Sequence, residues 1–267
     1  MKYQGIYFMK KTLIALAVAT SAAVSGSAMA WTANGDGGSV SLSGTVNVLS
    51  QNTPWEVKVG DAVNNLNVEI HSGDREAVIP VQKIIPILGI RTASHDPFHG
   101  QTGISPQIDF GNAINTDSFE GGRTDLTLEV KNDSDVKIGT LTTILTSGAE
   151  ASVATGNVSS KFNLFAANQG HAFYGGLGKS NDKVSQNSWY IAKLFGNDYV
   201  ENYNDQGGNL VAAGNHEYFN NPQFTYSAVY AAGILNNTGT NITITLDQPA
   251  TSNITWKASL PIRVTYQ

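Results

Sequence analysis

The chain has 267 residues, is 41% hydrophobic but only 14% charged, carries a formal net charge of −5 and contains no cysteine. An acidic, sparsely charged chain argues against nucleic acid and anionic lipid as partners, since both are held by clustered Lys and Arg. Without cysteine there is neither a disulfide staple nor a thiol nucleophile, so stability must come from core area or from partners.

The first thirty residues read as a secretory signal. "MKKTLIALAVATSAAVSGSAMA" has a basic start at Lys10 and Lys11, an apolar middle, and a small-x-small end at Ala28-Met29-Ala30. Cleavage is expected before Trp31, with Met9 as initiator. The apolar run is shorter than the roughly 20 residues a spanning helix needs. Removing residues 1–30 leaves 267 − 30 = 237 residues and takes away three lysines and no acid, moving the net charge from −5 to −8.

Behind the small, flexible "TANGDGG" comes "SVSLSGTVNV", residues 39–48. Val40, Leu42, Gly44, Val46 and Val48 fall on one face, and Ser, Thr and Asn on the other. This is a strand with one greasy face, and such a strand needs a sheet to lie against. Burying its four apolar side chains is worth roughly 6–12 kcal/mol gross, at about 1.5–3 each. That rivals the whole net stability of an ordinary domain, about 5–15 kcal/mol. Alternation alone leaves open whether the strand fills its own sheet or that of another molecule.

Period-two alternation continues down the chain, and helical periodicity is scarce. Strands are expected at "WEVKV" (55–59), "LNVEI" (66–70), "LTLEV" (126–130), "VKIGTLTTIL" (136–145), "FTYSAVYAAGIL" (224–235), "NITITL" (241–246) and "LPIRVTY" (260–266). Gly-, Asn- and Asp-rich clusters separate them as turns. The apolar run 78–90 contains Pro80 and Pro86, which reads as edge strand or bulge rather than central strand. Composition and pattern together predict an all-β protein.

The alternation stops between 178 and 222. This polar stretch gathers Trp189, Tyr190, Phe195, Tyr199, Tyr203, Tyr218 and Phe219. Within it "SQNSWYIAKLFGND" is expected to form a helix capped by Asn187 or Ser188, with Trp189, Ile191, Leu194 and Phe195 on one side. The segment reads as an insertion on a β framework, its aromatics being either a small core of its own or a ligand surface.

Chemistry-bearing motifs are missing. "GGLGKS" (175–180) fails as a phosphate loop, because Phe173 stands where the first glycine is required. "HDPFH" (95–99) offers two histidines and an acid, too few for a metal site, so neither metal nor cofactor is expected. No Gly-x-Ser-x-Gly elbow is present. A glycosidase would need two carboxyls converging on one cleft, and no such pair is recognisable. The chain reads as a non-enzyme.

At the far end "LPIRVTYQ" alternates Leu260, Ile262, Val264 and Tyr266 up to the final residues. A last strand of this kind leaves an apolar edge open beside it, and such an edge invites another chain to pair. The greasy strand at the front and the greasy edge at the back are complementary between copies.

Several stretches resemble the FaeG/ClpG family of fimbrial major subunits and adhesins, assembled by the chaperone/usher route in enteric bacteria. They are the signal followed by Trp31, "GSVSLSGTV", "WEVKVG", "IPILGIRT" with "GISPQI", "SDVKIGT", "NLFAANQGHAFYGGL", "YSAVYAAGI" and "ITWKASLPIRVTY". The resemblance implies an immunoglobulin-like β-sandwich lacking its final strand over 51–267. It implies a donor-strand extension at 31–50, acting through Val40, Leu42, Gly44, Val46 and Val48. A periplasmic chaperone would first pair beside Leu260, Ile262, Val264 and Tyr266. An outer-membrane usher would then exchange that strand for the extension of the next identical subunit, building a cell-surface homopolymer. Binding of a host glycoconjugate receptor would fall to the mixed α/β insert 178–222, with Trp189, Tyr190, Lys193, Phe195, Asn197, Asp198 and Tyr199 as candidates. Most of the insert departs from the family in length and side chains. A purely structural fimbrial or capsule-like subunit is the alternative.

Overall fold

The computed structural model describes residues 53–267; the proposed donor strand at 39–48 lies outside them. The strands run β1 (Trp55–Val59), β2 (Glu76–Pro80), β3 (Ile85–Thr92), β4 (Phe98–His99), β5 (Pro106–Asp109), β6 (Arg123–Lys131), β7 (Lys137–Thr155), β8 (Val158–Asn163), β9 (Asn209–Leu210), β10 (Thr225–Ile234), β11 (Asn241–Leu246), β12 (Lys257–Ala258) and β13 (Arg263–Tyr266). Among the described residues there is one α-helix, α1 (Ser188–Leu194), between β8 and β9. The protein is all-β, as the alternation implied.

The main sheet runs β1-β3-β10-β7-β11-β2, with β6 and β8 also on β7, β4 on β10, β12 on β6 and β9 on β8. Its ladders are antiparallel except β8–β9. A separate pair joins β13 to β5. Strand β7 organises the fold. Its first half pairs with β6 and β11, and its second half with β10 and β8. Burial follows this change. The first half alternates, and residues 145–152 are buried without a break. There the odd residues Leu145, Ala149 and Ala151 enter the main core. The even residues Gly148, Glu150 and Ser152 face residues 178–222, the stretch expected as an insert.

Strand β10 is covered on both faces in the same way. Tyr226, Ala228, Tyr230, Ala232 and Ile234 pack into the main core. Val229, Ala231 and Leu235 pack against Ala192, Phe195, Tyr199 and Tyr203 of the insert.

The prolines of 78–90 divide that run in two. β2, ending at Pro80, is an edge strand as expected. β3 is not: it lies between β1 and β10, and Pro86 is accommodated by a register shift opposite Ala232/Gly233. The bulge removes the need for a donor at Pro86, so a proline sits inside a central strand. The stretch expected as a strand at 66–70 joins no ladder, although Leu66 and Ile70 pack on the core.

Candidate functional sites: an open groove and a helical insert

The first site is a groove of about 1220 Å³ in the face of the sheet. Leu126, Leu128, Leu141, Ile234, Ile244 and Leu246 line its floor. One rim is the segment 62–72 and the other is 250–258 with Leu260. Neither rim is built like the rest of the fold. Residues 61–70 and 251–256 lie outside any strand ladder, and Asn65 turns the first through a φ of 66°. Val63, Val68 and Ile254 stand exposed on them. The second rim is attached at Ala250, which exchanges backbone hydrogen bonds with Gly73 and Asp74, and at β12 by two paired residues, Lys257↔Lys131 and Ala258↔Val130. Behind Thr251–Thr255 lies a second hollow of about 530 Å³, lined by Asn132–Ser134 and Asp247–Pro249.

From Trp256 to Tyr266 every second residue is half-buried and its neighbours are exposed. Leu260 lines the groove. Ile262, Val264 and Tyr266 pack against the core from the side, where β13 rests on β5. The C-terminal segment thus begins as a groove rim and ends as a paired strand.

The second site is the insert. Helix α1 starts where Asn163 of β8 accepts a hydrogen bond from the Ser188 N–H through Oδ1 at 3.0 Å. Asn187 occupies the cap position but makes no side-chain cap bond. Capping from a neighbouring strand is invisible to a local sequence reading. The helix and the following Asn197–Tyr199 turn lie on a floor of small residues: Gly89, Ala231 and Gly148 form one row across β3, β10 and β7. A Cβ at Gly148 would approach Ser188 and Ile191.

The receptor candidates divide by depth. Phe195 is 7% exposed and Tyr199 4%, and both belong to the small core beneath the helix. Trp189 is half-buried, with the Lys193 ammonium 4.9 Å above its ring. Tyr190 is 48% exposed. Asn197 and Asp198 are exposed, but Asp198 is engaged: its Oδ2 accepts from Lys58 at 2.8 Å. That hydrogen bond holds the Asp198 carboxyl below its ordinary range. Trp189, Tyr190, Lys193, Asn197 and Asp198 therefore form the members that a ligand can touch.

Sequence reading missed the polar seam that binds the insert to β7. The Glu150 side chain is buried, accepts a hydrogen bond from the Tyr203 hydroxyl at 2.9 Å and lies 4.0 Å from the Lys161 ammonium. Burial pushes its carboxyl above the ordinary range. Ser152 donates to the Asn204 carbonyl, and Gln206 donates to the Ser152 hydroxyl and the Thr225 carbonyl. A glutamate two residues beyond Gly148 in an otherwise small-residue strand was the available signal. In the "HDPFH" loop, the His95 carbonyl accepts from Asn204 and the His99 ring faces the Pro222 carbonyl. Among the described residues no three metal-ligating side chains converge.

Comparison with known proteins bears on this arrangement. A family model described as fimbrial, major and minor subunit (Fimbrial_K88) matches residues 9–267. The chain belongs to this family. It is 32% identical over 292 residues to K88 fimbrial protein AB of Escherichia coli, covering 97% of this chain and all of that protein. K88 fimbrial protein AC is likewise 32% identical, over 290 residues. F41 fimbrial protein of the same organism is 28% identical over 280 residues, again covering all of that protein. The chain is a fimbrial subunit of the K88/F41 type, which assembles with copies of itself on the cell surface, and it is not an enzyme.

Proposed function

We propose that this subunit polymerises by strand donation, the extension 31–50 of one copy entering the groove of the next. The observation that carries the reading is the groove itself. Its floor is apolar, and residues 61–70 of one rim and 251–256 of the other belong to no strand ladder. An incoming strand would supply the missing backbone partners and cover the floor at once. The rim at 250–258 is held at Ala250 by backbone bonds to Gly73 and Asp74 and at β12 by two paired residues, and the stretch between, hollow behind, can adjust to that strand. In this reading the framework is an immunoglobulin-like sandwich short of its last strand. Val40, Leu42, Val46 and Val48 enter the groove, and Gly44 marks its shallowest point. A periplasmic chaperone holds the groove first, and an outer-membrane usher exchanges it for the next subunit.

Deleting residues 31–48 tests this. The shortened subunit should still bind chaperone and form no heat-stable multimers. Heat-stable multimers of the deleted protein would overturn the reading.

The same subunit is proposed to bind host glycan through the outer face of the insert. An aromatic ring can lie against the apolar face of a sugar while amides and charges take the hydroxyls. The exposed Tyr190, Lys193 and Asn197 and the half-buried Trp189 offer such groups. The competing reading, a purely structural subunit, draws support from Phe195, Tyr199 and Tyr203, whose rings are spent on packing. A self-complemented monomer, with "GSVSLSGTVNV" moved behind Gln267 through a flexible linker, separates them on a glycan array. Specific binding that is lost in Trp189→Ala or Tyr190→Ala at unchanged melting temperature establishes the adhesin. A well-folded monomer that binds no sugar supports the structural subunit.

A further inference from the structure

Two loops meet through stacked imidazoles. His171 is 3% exposed. Its ring lies on that of His216 with centroids 4.3 Å apart and planes 11° from parallel. Tyr218 stands edge-on to both, and Phe165 flanks His216.

The hydrogen bonds fix the charge state of His171. The Ala167 N–H approaches Nδ1 at 3.3 Å. A backbone N–H only donates, so Nδ1 carries no proton. The ring proton is then on Nε2, which donates to the Tyr218 hydroxyl at 3.0 Å. The ring is neutral and satisfied on both sides. A second proton at Nδ1 would point at a donor, and its charge would sit against His216. The groups facing His171 contain no compensating acid. From 215–219 these are His216 and Tyr218, while the Glu217 carboxylate is turned to the N–H groups of Tyr218 and Phe219. From β5 comes the neutral Gln107. Burial and His216 hold His171 below its ordinary range.

The stack closes a junction. Phe165 N–H donates to Asn215, and Ala172 N–H to Glu217, at 3.0 and 2.7 Å. The same loop grips β5. Gln107 donates to the His171 carbonyl at 3.0 Å and accepts from the Gly170 N–H at 2.9 Å. Phe173 N–H donates to Pro106, and Ile108 N–H to Tyr174. β5 is the ladder partner of β13.

We propose that the His171–His216 stack is an acid-sensitive latch: protonation of His171 parts 165–174 from 215–219 and loosens β5, on which the C-terminal strand rests. The sign follows from linkage. An opened histidine titrates near its ordinary value of about 6.5. The closed one titrates lower, so the open form takes the proton more readily. The latch is closed above about pH 6.5 and opens progressively below it.

Amide hydrogen exchange on assembled wild-type fimbriae tests this between pH 7.5 and 5.0, corrected for intrinsic exchange. Opening of 166–174, 215–219 and 106–109 should rise by up to about tenfold per pH unit below pH 6.5. In His171→Gln, whose amide keeps one donor and one acceptor, the response should be flat. An absent response in wild type, or an unchanged one in His171→Gln, overturns the proposal. Should His171→Gln fail to assemble, C2–H exchange of wild-type His171 decides. A midpoint below about 6.5 is expected, and one at or above it overturns the latch.

Discussion

The Tyr199 ring occupies the space that a side chain on Gly89 would need. A Cβ at Gly89 would lie 2.5 Å from Cδ1 and Cε1 of Tyr199. On β10, seven strands later in the chain but adjacent to β3 in the sheet, Gly233 stands in the same relation to Phe195, also at 2.5 Å. Gly89→Ala should therefore lift the Asn197–Tyr199 turn from the sheet. Overpacking of this kind costs about 1–3 kcal/mol. The expected readouts are a lower melting temperature in the self-complemented monomer and faster proteolysis within 195–205, with the groove unaffected.

The depth of the aromatics separates packing from recognition. Phe195→Ala should cost about 3–5 kcal/mol, the range for a buried aromatic. Tyr190→Ala should change stability by no more than about 0.5 kcal/mol, as exposed substitutions do. Chemical denaturation of the two monomers checks this. Equal losses would mean that Tyr190 is a packing residue and would remove it from the proposed receptor surface.

Sequence reading served best where one face of a strand meets water. "NITITL" alternates in sequence and in burial and folds over the residues expected, β11; "WEVKV" also folds where expected, as β1, although Val57 and Val59 stay exposed. It served less well where tertiary context decides. β7 continues ten residues past the expected end at Leu145, because from there the insert covers its second face and small residues replace the alternation. β3 is central despite Pro86, because a bulge in the partner ladder absorbs the proline. "LNVEI" has a strand's pattern and no strand's partners. The helix was legible from its period, but its cap on Asn163 was not, since that residue lies 25 positions upstream. In the insert, composition announced an aromatic cluster without saying which rings face inward. The small-residue row at Gly89, Ala231 and Gly148 was visible in sequence, but its use as a floor depends on strand register.

If the groove takes the extension of the next subunit, charge on the donor face should be as damaging as deletion. Leu42→Asp would carry a carboxylate against the apolar groove floor without a partner, and uncompensated burial of that kind costs several kcal/mol. Fimbriae should be lost while the subunit still accumulates with its chaperone, as heat-stable multimers on gels will report. Ser41→Asp, one residue away on the other face, should be tolerated. Equal loss in both variants would show that the two faces are not distinguished and that the strand does not enter the groove by its apolar side.

Glu150 sets a second pH dependence, opposite in sign to that of His171. Burial raises its carboxyl, so the folded state holds the proton more tightly than the unfolded one. Its contribution is most favourable below the unfolded value of about 4.3 and is lost as pH climbs through the folded value. Above that value an ionised carboxylate stays buried, with a hydroxyl at 2.9 Å, the Trp189 backbone N–H and an ammonium at 4.0 Å to offset the lost hydration. Glu150→Gln keeps an acceptor for Tyr203, and Lys161 keeps Asp205 at 3.3 Å. The variant should therefore be more stable than wild type at pH 8, by an amount on the order of 1 kcal/mol, the scale of one buried hydrogen-bonded group. Its advantage should shrink toward pH 4. Melting of both self-complemented monomers across that range, taken as a difference so that His171 cancels, measures it. A Gln variant less stable at pH 8 would mean that the Glu150–Lys161 pairing outweighs desolvation and that the seam holds the insert by charge.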